Sequence, residues 1–514
     1  MSARTTEATP PDRTTPPDVT GVAPSASPST TPPAAAGEAA GDRLPREHVR
    51  VIALLLVSAF VVILNETTMG VALPAVMDEF DIAPSAGQWL TTAFMLTMAV
   101  VIPTTGWMLQ RLGTRGAFIL AMSLFSTGTL LAAVAPVFGL LVAARVVQAT
   151  GTAIMMPLLM TTVMTTVPLH RRGQVMGNVS MVIAVAPALG PTMSGGVVTA
   201  LGWREVFWVV LPIAVAALVL GAILVRDVAD RARTRLDPLS LLLSAGAFGG
   251  LVYGLSAIGE AAQHATPVSP AVPLAAGVVF LALFVWRQLR LQRTDAALLD
   301  LRAFLAPGFS VGLGVMAIAM VAMFGMIIGL PLVLQEAMGL APLTSGLLML
   351  PGGLAMGLLG PVVGRLYDRL GPRPLALPGV VAVGVAMVLF ATLTPTSPLW
   401  WVLVGHMVLS LGLAFVFTPT FTSALGGLRP ALYSHGSAAV ATVQQLAGAA
   451  GTALFVTLLT IRSVALLDDG ASEATATAGG ARLAFTVSAV VIVAAVLLAT
   501  RLRRADAPSG APAH

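Results

Sequence analysis

Beyond residue 48 the chain is a succession of long apolar runs, parted at near-regular intervals by short stretches that carry its Arg, Asp, Pro and Gly. A helix needs about 20 apolar residues to cross the hydrocarbon core of a bilayer. The runs predict fourteen such spans, near 50–72, 87–105, 116–136, 138–161, 174–200, 206–225, 238–258, 271–289, 310–334, 343–364, 375–394, 399–423, 438–460 and 483–500. An even number puts both termini on one side. Residues 1–48 are rich in Pro, Thr, Ala and Ser without apolar periodicity and read as a disordered cytoplasmic tail. No short apolar segment with a cleavage site precedes the first span, which is expected to act as its own insertion signal.

Composition agrees and excludes alternatives. Of 514 residues, 56% are hydrophobic and 10% charged, and the mean hydropathy is +0.89. A soluble domain carries about 25% charged residues, so a soluble multidomain enzyme is ruled out. There is no Cys, which removes disulfides, thiolate metal sites and Cys nucleophiles. All 28 basic residues are Arg, which removes a Schiff-base lysine. In a membrane protein basic residues mark the cytoplasmic face, so a pI of 10.7 does not imply nucleic acid. With both termini inside, 24 Arg fall in inner loops and tails, three (Arg204, Arg462, Arg482) in outer loops, and Arg145 within a span. The bias fixes the expected topology.

The chain also repeats itself. PTTGWMLQRLGTR at 103–115 matches PVVGRLYDRLGPR at 361–373 at an offset of 258, and Pro84 pairs with Pro342 at the same offset. Each copy follows the second span of a six-span unit. The expected fold is therefore all-α: two pseudo-repeated six-helix bundles with two inserted helices. The boundaries are a tail (1–48), an N-terminal bundle (49–228), the inserted pair (229–308), a C-terminal bundle (309–503) and a second tail (504–514). Parallel repeats about an axis along the membrane normal are the signature of a rocking transporter.

Four stretches carry a family resemblance: LNETTMGVALP at 64–74, the repeated loops at 106–115 and 364–373, RVVQATG at 145–151, and APALGPTMSGG at 186–196 followed by GWREVFW. In this order, on these spans, the chain resembles the fourteen-span drug:proton antiporter branch of the major facilitator superfamily. The resemblance implies a monomeric, proton-coupled multidrug efflux transporter of the plasma membrane, one that confers antibiotic resistance by exporting amphipathic or cationic molecules. Its partners would be a small-molecule substrate, protons and lipid, with no cofactor, metal or nucleic acid. A dedicated exporter of one natural product or lipid, and a sensor or scaffold on a transporter fold, are the alternatives.

Glu66 is the one acid well inside a predicted span; Asp368 and Glu336 sit at span ends. An intramembrane carboxylate is costly unless paired, protonated or facing a cavity. It suits proton coupling, or else a structural role satisfied by a hydroxyl such as that of Thr67. Arg145 lies at a similar depth, which predicts a salt bridge or water bridge to Glu66 in at least one state, or an Arg that satisfies backbone carbonyls. Most relatives place Asp where Asn65 stands, and one residue turns a helical side chain by about 100°. Ala149 replaces a usual Gly.

Asn65, Thr67, Gln88, Trp89, Gln148, Gln444 and Gln445 are candidates for a polar cavity. In the repeated loops, Gln110, Arg111 and Arg115 face Asp368, Arg369 and Arg373 as gating candidates. The resemblance makes the loop acid a latch on Arg and on helix N-termini, and Gln110 stands where that acid is expected. Pro187, Gly190, Pro191, Ser194 and Gly195 match the antiporter motif of span 5, with Ser194 in place of a Gly; small-residue packing explains them equally. His406 reads as a packing residue.

Overall fold

The computed structural model describes residues 45–227, 237–261 and 269–504. The helices are α1 (Arg46–Phe80), α2 (Trp89–Val101), α3 (Thr105–Ala133), α4 (Phe138–Thr166), α5 (Arg172–Ala200), α6 (Trp203–Leu224), α7 (Pro238–Ala261) and α8 (Ala271–Leu291). They continue as α9 (Pro307–Leu332), α10 (Pro342–Leu370), α11 (Arg373–Ala391), α12 (Leu399–Gly426), α13 (Tyr433–Asp468) and α14 (Glu473–Ala499).

Thirteen continuous helical runs among the described residues are long and apolar enough to cross a membrane, and one of them, Trp89–Ala133, has 45 residues. Forty-five helical residues reach roughly 68 Å, more than twice a hydrocarbon core. The run is two crossings: Gly113 inside it has φ 74° and ψ 175°, and the chain reverses there. Gly371, its partner in the repeat, has φ 83° between α10 and α11. A positive φ is open to Gly at little cost and strained for other residues, so both turns rest on the same glycine. The crossings therefore number fourteen. The predicted loops shrink accordingly, to Gly113 in one copy and Gly371–Pro372 in the other.

Other predicted ends move as well. Arg46–His48, assigned to the tail, form the first turn of α1, and residues 1–44 lie outside the described residues. Arg462 and Arg482 sit on exposed positions within α13 and α14 rather than in a loop. The 36 residues of α13 exceed what the bilayer core requires, so the helix carries its charge past the apolar layer.

Helix pairing makes the repeat visible. Within α1–α6 the pairs α3–α4, α1–α5, α3–α6, α2–α4 and α1–α6 pack together; within α9–α14 the same pairs recur with each number raised by eight. Between the bundles α5 lies along α10 over the most extensive contact in the molecule. The related seam between α2 and α13 is sparse, and α7 packs against both of its helices as well as against α8. Both described chain ends fall on one face, here called the Arg-rich face; the opposite one is the far face.

The inserted pair is held by polar contacts. Arg287 of α8 donates to Asp237 from Nε at 2.8 Å and Nη2 at 2.9 Å. Those bonds, helped by Ser240, outweigh burial and bring the Asp237 carboxyl down to about 2. Buried Gln288 accepts from the backbone N–H groups of Leu298 and Leu299. It thereby fixes the link from α8 to α9.

Candidate functional site

Arg145 is the largest fully buried polar side chain, 1% exposed in the middle of the N-terminal bundle. Its Nη1 donates to Gln148 Oε1 at 2.6 Å, one helical turn on, and makes a longer contact of 3.5 Å with Asn65 Oδ1 on α1. Gln148 Nε2 in turn donates to Thr129 Oγ1 on α3 at 2.8 Å. The guanidinium lies 4.1 Å from the centroid of the Phe94 ring, a cation–π arrangement favoured where water is scarce. Burying a charge this deeply costs several kcal/mol unless its donors are met. Here α1 supplies Asn65, α2 the Phe94 face, and Thr129 on α3 holds Gln148, while the buried Nε of Arg145 has no hydrogen-bond partner among the described residues.

Glu66 is half-buried beside buried Asn65. It interacts with Arg145 through space, with no direct ion pair between them in this state. The bonds of Arg145 to Gln148 and Asn65 both leave from Nη1. The Thr67 hydroxyl donates to the Leu64 carbonyl at 2.9 Å, so it does not serve Glu66 either. The carboxylate is left without a hydrogen-bond partner among the described residues.

The span-5 motif packs against this region. A Cβ at Gly190 would lie 2.0 Å from Thr67 Oγ1, so α5 approaches α1 there only as glycine. Buried Ser194 donates to the Thr68 carbonyl at 2.9 Å. Gly195 has room around it, Pro187 is half-buried, and α5 stays helical through Pro191. Of the other cavity candidates, Gln444 and Gln445 are half-buried on α13. Gln88 is exposed, and Trp89, 46% exposed, stacks on Tyr253 of α7; its ring faces the inserted helix. His406 is buried against Gly352.

The gating candidates gather at the Arg-rich face. Asp368 accepts from the Gly173 N–H at 2.8 Å and the Gln174 N–H at 2.9 Å. Those are orphan donors of the first turn of α5, where the helix dipole favours a negative charge. A Cβ at Gly173 would lie 2.4 Å from Asp368 Oδ1 and 2.5 Å from the Gly364 carbonyl, so the capture depends on glycine at that position. Arg369 and Arg373 stay exposed; of the two kinds of partner expected for the loop acid, Arg and helix N-termini, Asp368 takes the helix N-terminus here.

In the other copy Gln110 Nε2 lies 3.0 Å from His435 Nε2 and 3.4 Å from the Ala431 carbonyl. Arg111 is exposed, and Arg115 Nη2 donates to the Ala222 carbonyl at the end of α6 at 2.8 Å. Gln110 and His435 border a cavity of about 730 Å³ together with Asp300, Arg302 and Arg429. Burial pushes the Asp300 carboxyl up, but hydrogen bonds from Arg302 prevail and hold it below its ordinary value.

Several contacts here were not foreseen. Arg172 donates to the Tyr433 hydroxyl at 3.2 Å, and Thr418 on α12 donates to Ser180 on α5 at 2.8 Å, both buried. Arg504 reaches the Asp368 carbonyl. The hydrogen bonds joining the two bundles among the described residues all lie toward the Arg-rich face, which is therefore the closed end.

The sequence pattern of the Major Facilitator Superfamily matches residues 55–452. The chain belongs to the major facilitator superfamily. The transporter is 37% identical over 468 residues to YcnB of Bacillus subtilis, an uncharacterised transporter of this type, covering 91% of this chain and 98% of that one. It is 36% identical to the lincomycin resistance protein LmrB of Listeria monocytogenes, over 82% of this chain and 88% of that protein. To the multidrug resistance protein B homolog of Mycobacterium tuberculosis it is 30% identical, over 82% and 77%. The human organic anion transporter MFSD10 shares its fold with a TM-score of 0.62 at 17% identity, over 88% of this chain and all of that one. The proton:xylose symporter XylE does so at 0.61 and 13%, over 89% and 96%. With fourteen crossings and these drug-resistance relatives, the transporter falls in the fourteen-span branch. It is a multi-pass membrane protein and not an enzyme.

Proposed function

We propose that this transporter exports amphipathic or cationic small molecules in exchange for protons, by alternating access, with both termini in the cytoplasm. The supporting observation is the Glu66 carboxylate, without a hydrogen-bond partner among the described residues and within electrostatic reach of Arg145. A half-buried acid with no hydrogen bond to break takes up and gives back a proton at low cost. Arg145 is held beside it by Gln148 and Asn65. A proton or a substrate cation relieves that carboxylate in turn, and only such differential binding moves the equilibrium between two states.

Asn65, Thr67, Gln148, Gln444 and Gln445 would border the substrate path near Glu66, while Gln88 and Trp89 stand at its mouth beside α7. The Gly190 to Gly195 stretch of α5 serves as the pivot against α1. Asp368 and Gln110 close the cytoplasmic end. The 24 Arg on the inner loops and tails support this orientation in the plasma membrane.

The test is proton-gradient-driven transport into everted vesicles carrying Glu66→Gln, where cellular efflux registers as uptake, with a fluorescent cation and with lincomycin as substrates. We expect efflux to fall at least about tenfold, the loss of a group that acts as proton carrier. Efflux at the parent rate would sink the coupling role, and transport of a single compound from a broad panel would favour a dedicated exporter.

A further inference from the structure

Asp368 has two polar ends, and the latch uses one of them. Its carboxylate caps α5, but its main-chain carbonyl lies in the last turn of α10, where the partner four residues on is Pro372. Proline has no N–H, so this carbonyl is left without a helical donor at the negative end of the dipole. The chain's own last described residues supply what is missing. Arg504 Nη2 donates to the Asp368 carbonyl at 2.5 Å. The segment that brings it there is anchored twice: Leu502 is 2% exposed, and the Arg503 carbonyl accepts from Ser423 Oγ at the end of α12 at 3.1 Å. The Arg504 side chain also lies against Gly371, the turn glycine.

We infer that Arg504 is a positioning residue of the cytoplasmic gate: the segment after α14 straps across α12 and caps α10, so that the Asp368 carboxylate is presented to the first turn of α5. Arg504 lines the pocket at Asp368 together with His170 and Arg172, whereas Arg369 and Arg373 stay exposed. A cation at the C-terminus of α10 steadies that turn, and the carboxylate on the same residue is steadied with it. The N-terminal copy has no counterpart: its Gln110 carbonyl is followed four residues on by Thr114, and its Arg115 reaches outward to α6 instead. The strap rests on the gating role given above to Asp368.

The chain contains no Cys, so a spin-label pair at Thr199→Cys and Leu343→Cys, on the far-face ends of α5 and α10, reports far-face opening in the full-length protein. Arg504→Ala is expected to lower the far-face-open population about two- to fivefold, the scale of one charged cap at a helix end. Arg504→Lys, which keeps the charge and a donor, restores it. Leu502→Ala, with Arg504 intact, shifts it the same way by less. Asp368→Asn serves as the reference for an opened gate. An unshifted Arg504→Ala distribution beside a shifted Asp368→Asn one overturns the strap and leaves the gate standing. Unshifted distributions in both overturn the gate as well.

Discussion

The two copies of the repeated loop share their turn glycine and differ in their chemistry. In the C-terminal copy a carboxylate accepts two backbone N–H groups across the bundle interface. In the N-terminal copy an uncharged amide meets an imidazole and, at 3.4 Å, a carbonyl. Charge-assisted hydrogen bonds contribute about twice what neutral ones do. A repeat that preserves geometry can therefore divide its work unevenly, one copy holding the closed end and the other following it.

The sharpest way to break this comparison is Asp368→Asn. Losing two charge-assisted bonds should shift the gate by about ten- to a hundredfold, read as a matching fall in proton-driven efflux. A loss of less than twofold would make the two copies equal after all. Gln110→Asp installs the missing charge beside His435 and should tighten the weaker copy about two- to tenfold. Slower hydrogen exchange in the first turn of α13 (Tyr433–Ser437) would register it, and unaltered exchange would show that charge is not what the copy lacks. His435→Leu removes one neutral bond and should loosen the same turn by about fivefold, with no effect on the α5 turn that Asp368 caps.

The smallest effect is expected away from both copies, at the inserted pair. The Asp237 carboxyl is held at about 2, below its ordinary value, so the Arg287 pair contributes stability above roughly pH 4. That contribution is lost as the pH falls through about 2. Asp237→Asn should lower stability by about 1 kcal/mol near neutrality, measured by thermal unfolding. Because the variant lacks the ionisable group, the gap from the parent should close in acid. A gap independent of pH would assign the effect to packing.

Much of this architecture was legible in the sequence because its determinants are local or repeated. Apolar runs place the crossings, and the 258-residue offset finds Gly113 and Gly371 before any backbone angle is known. Glu66 and Arg145 stand out since charges in apolar runs are rare. Their partners are another matter. Gln148, one turn from Arg145, carries the shortest bond to it, and the Thr67 hydroxyl turns back to its own helix; neither follows from depth along a span. His435 lies 325 residues from Gln110, and its alignment with the gate depends on the helix pairing between bundles. Arg504 resembled one more charge in a basic tail. The only local clue was Pro372, which leaves the carbonyl of Asp368 in want of a donor.

The inserted helix α7 changes what the internal symmetry means mechanically. Under the alternating access proposed above, two bundles related by a repeat rock about an axis whose two flanks ought to behave alike. Along α5 and α10 the flanks meet directly, at Gly177 and Gly360 nearly backbone to backbone, a close bearing in which small displacements are felt at once. Along α2 and α13 a third helix stands between the moving parts like a gasket. The bundles are twins, but the hinge that joins them is lopsided.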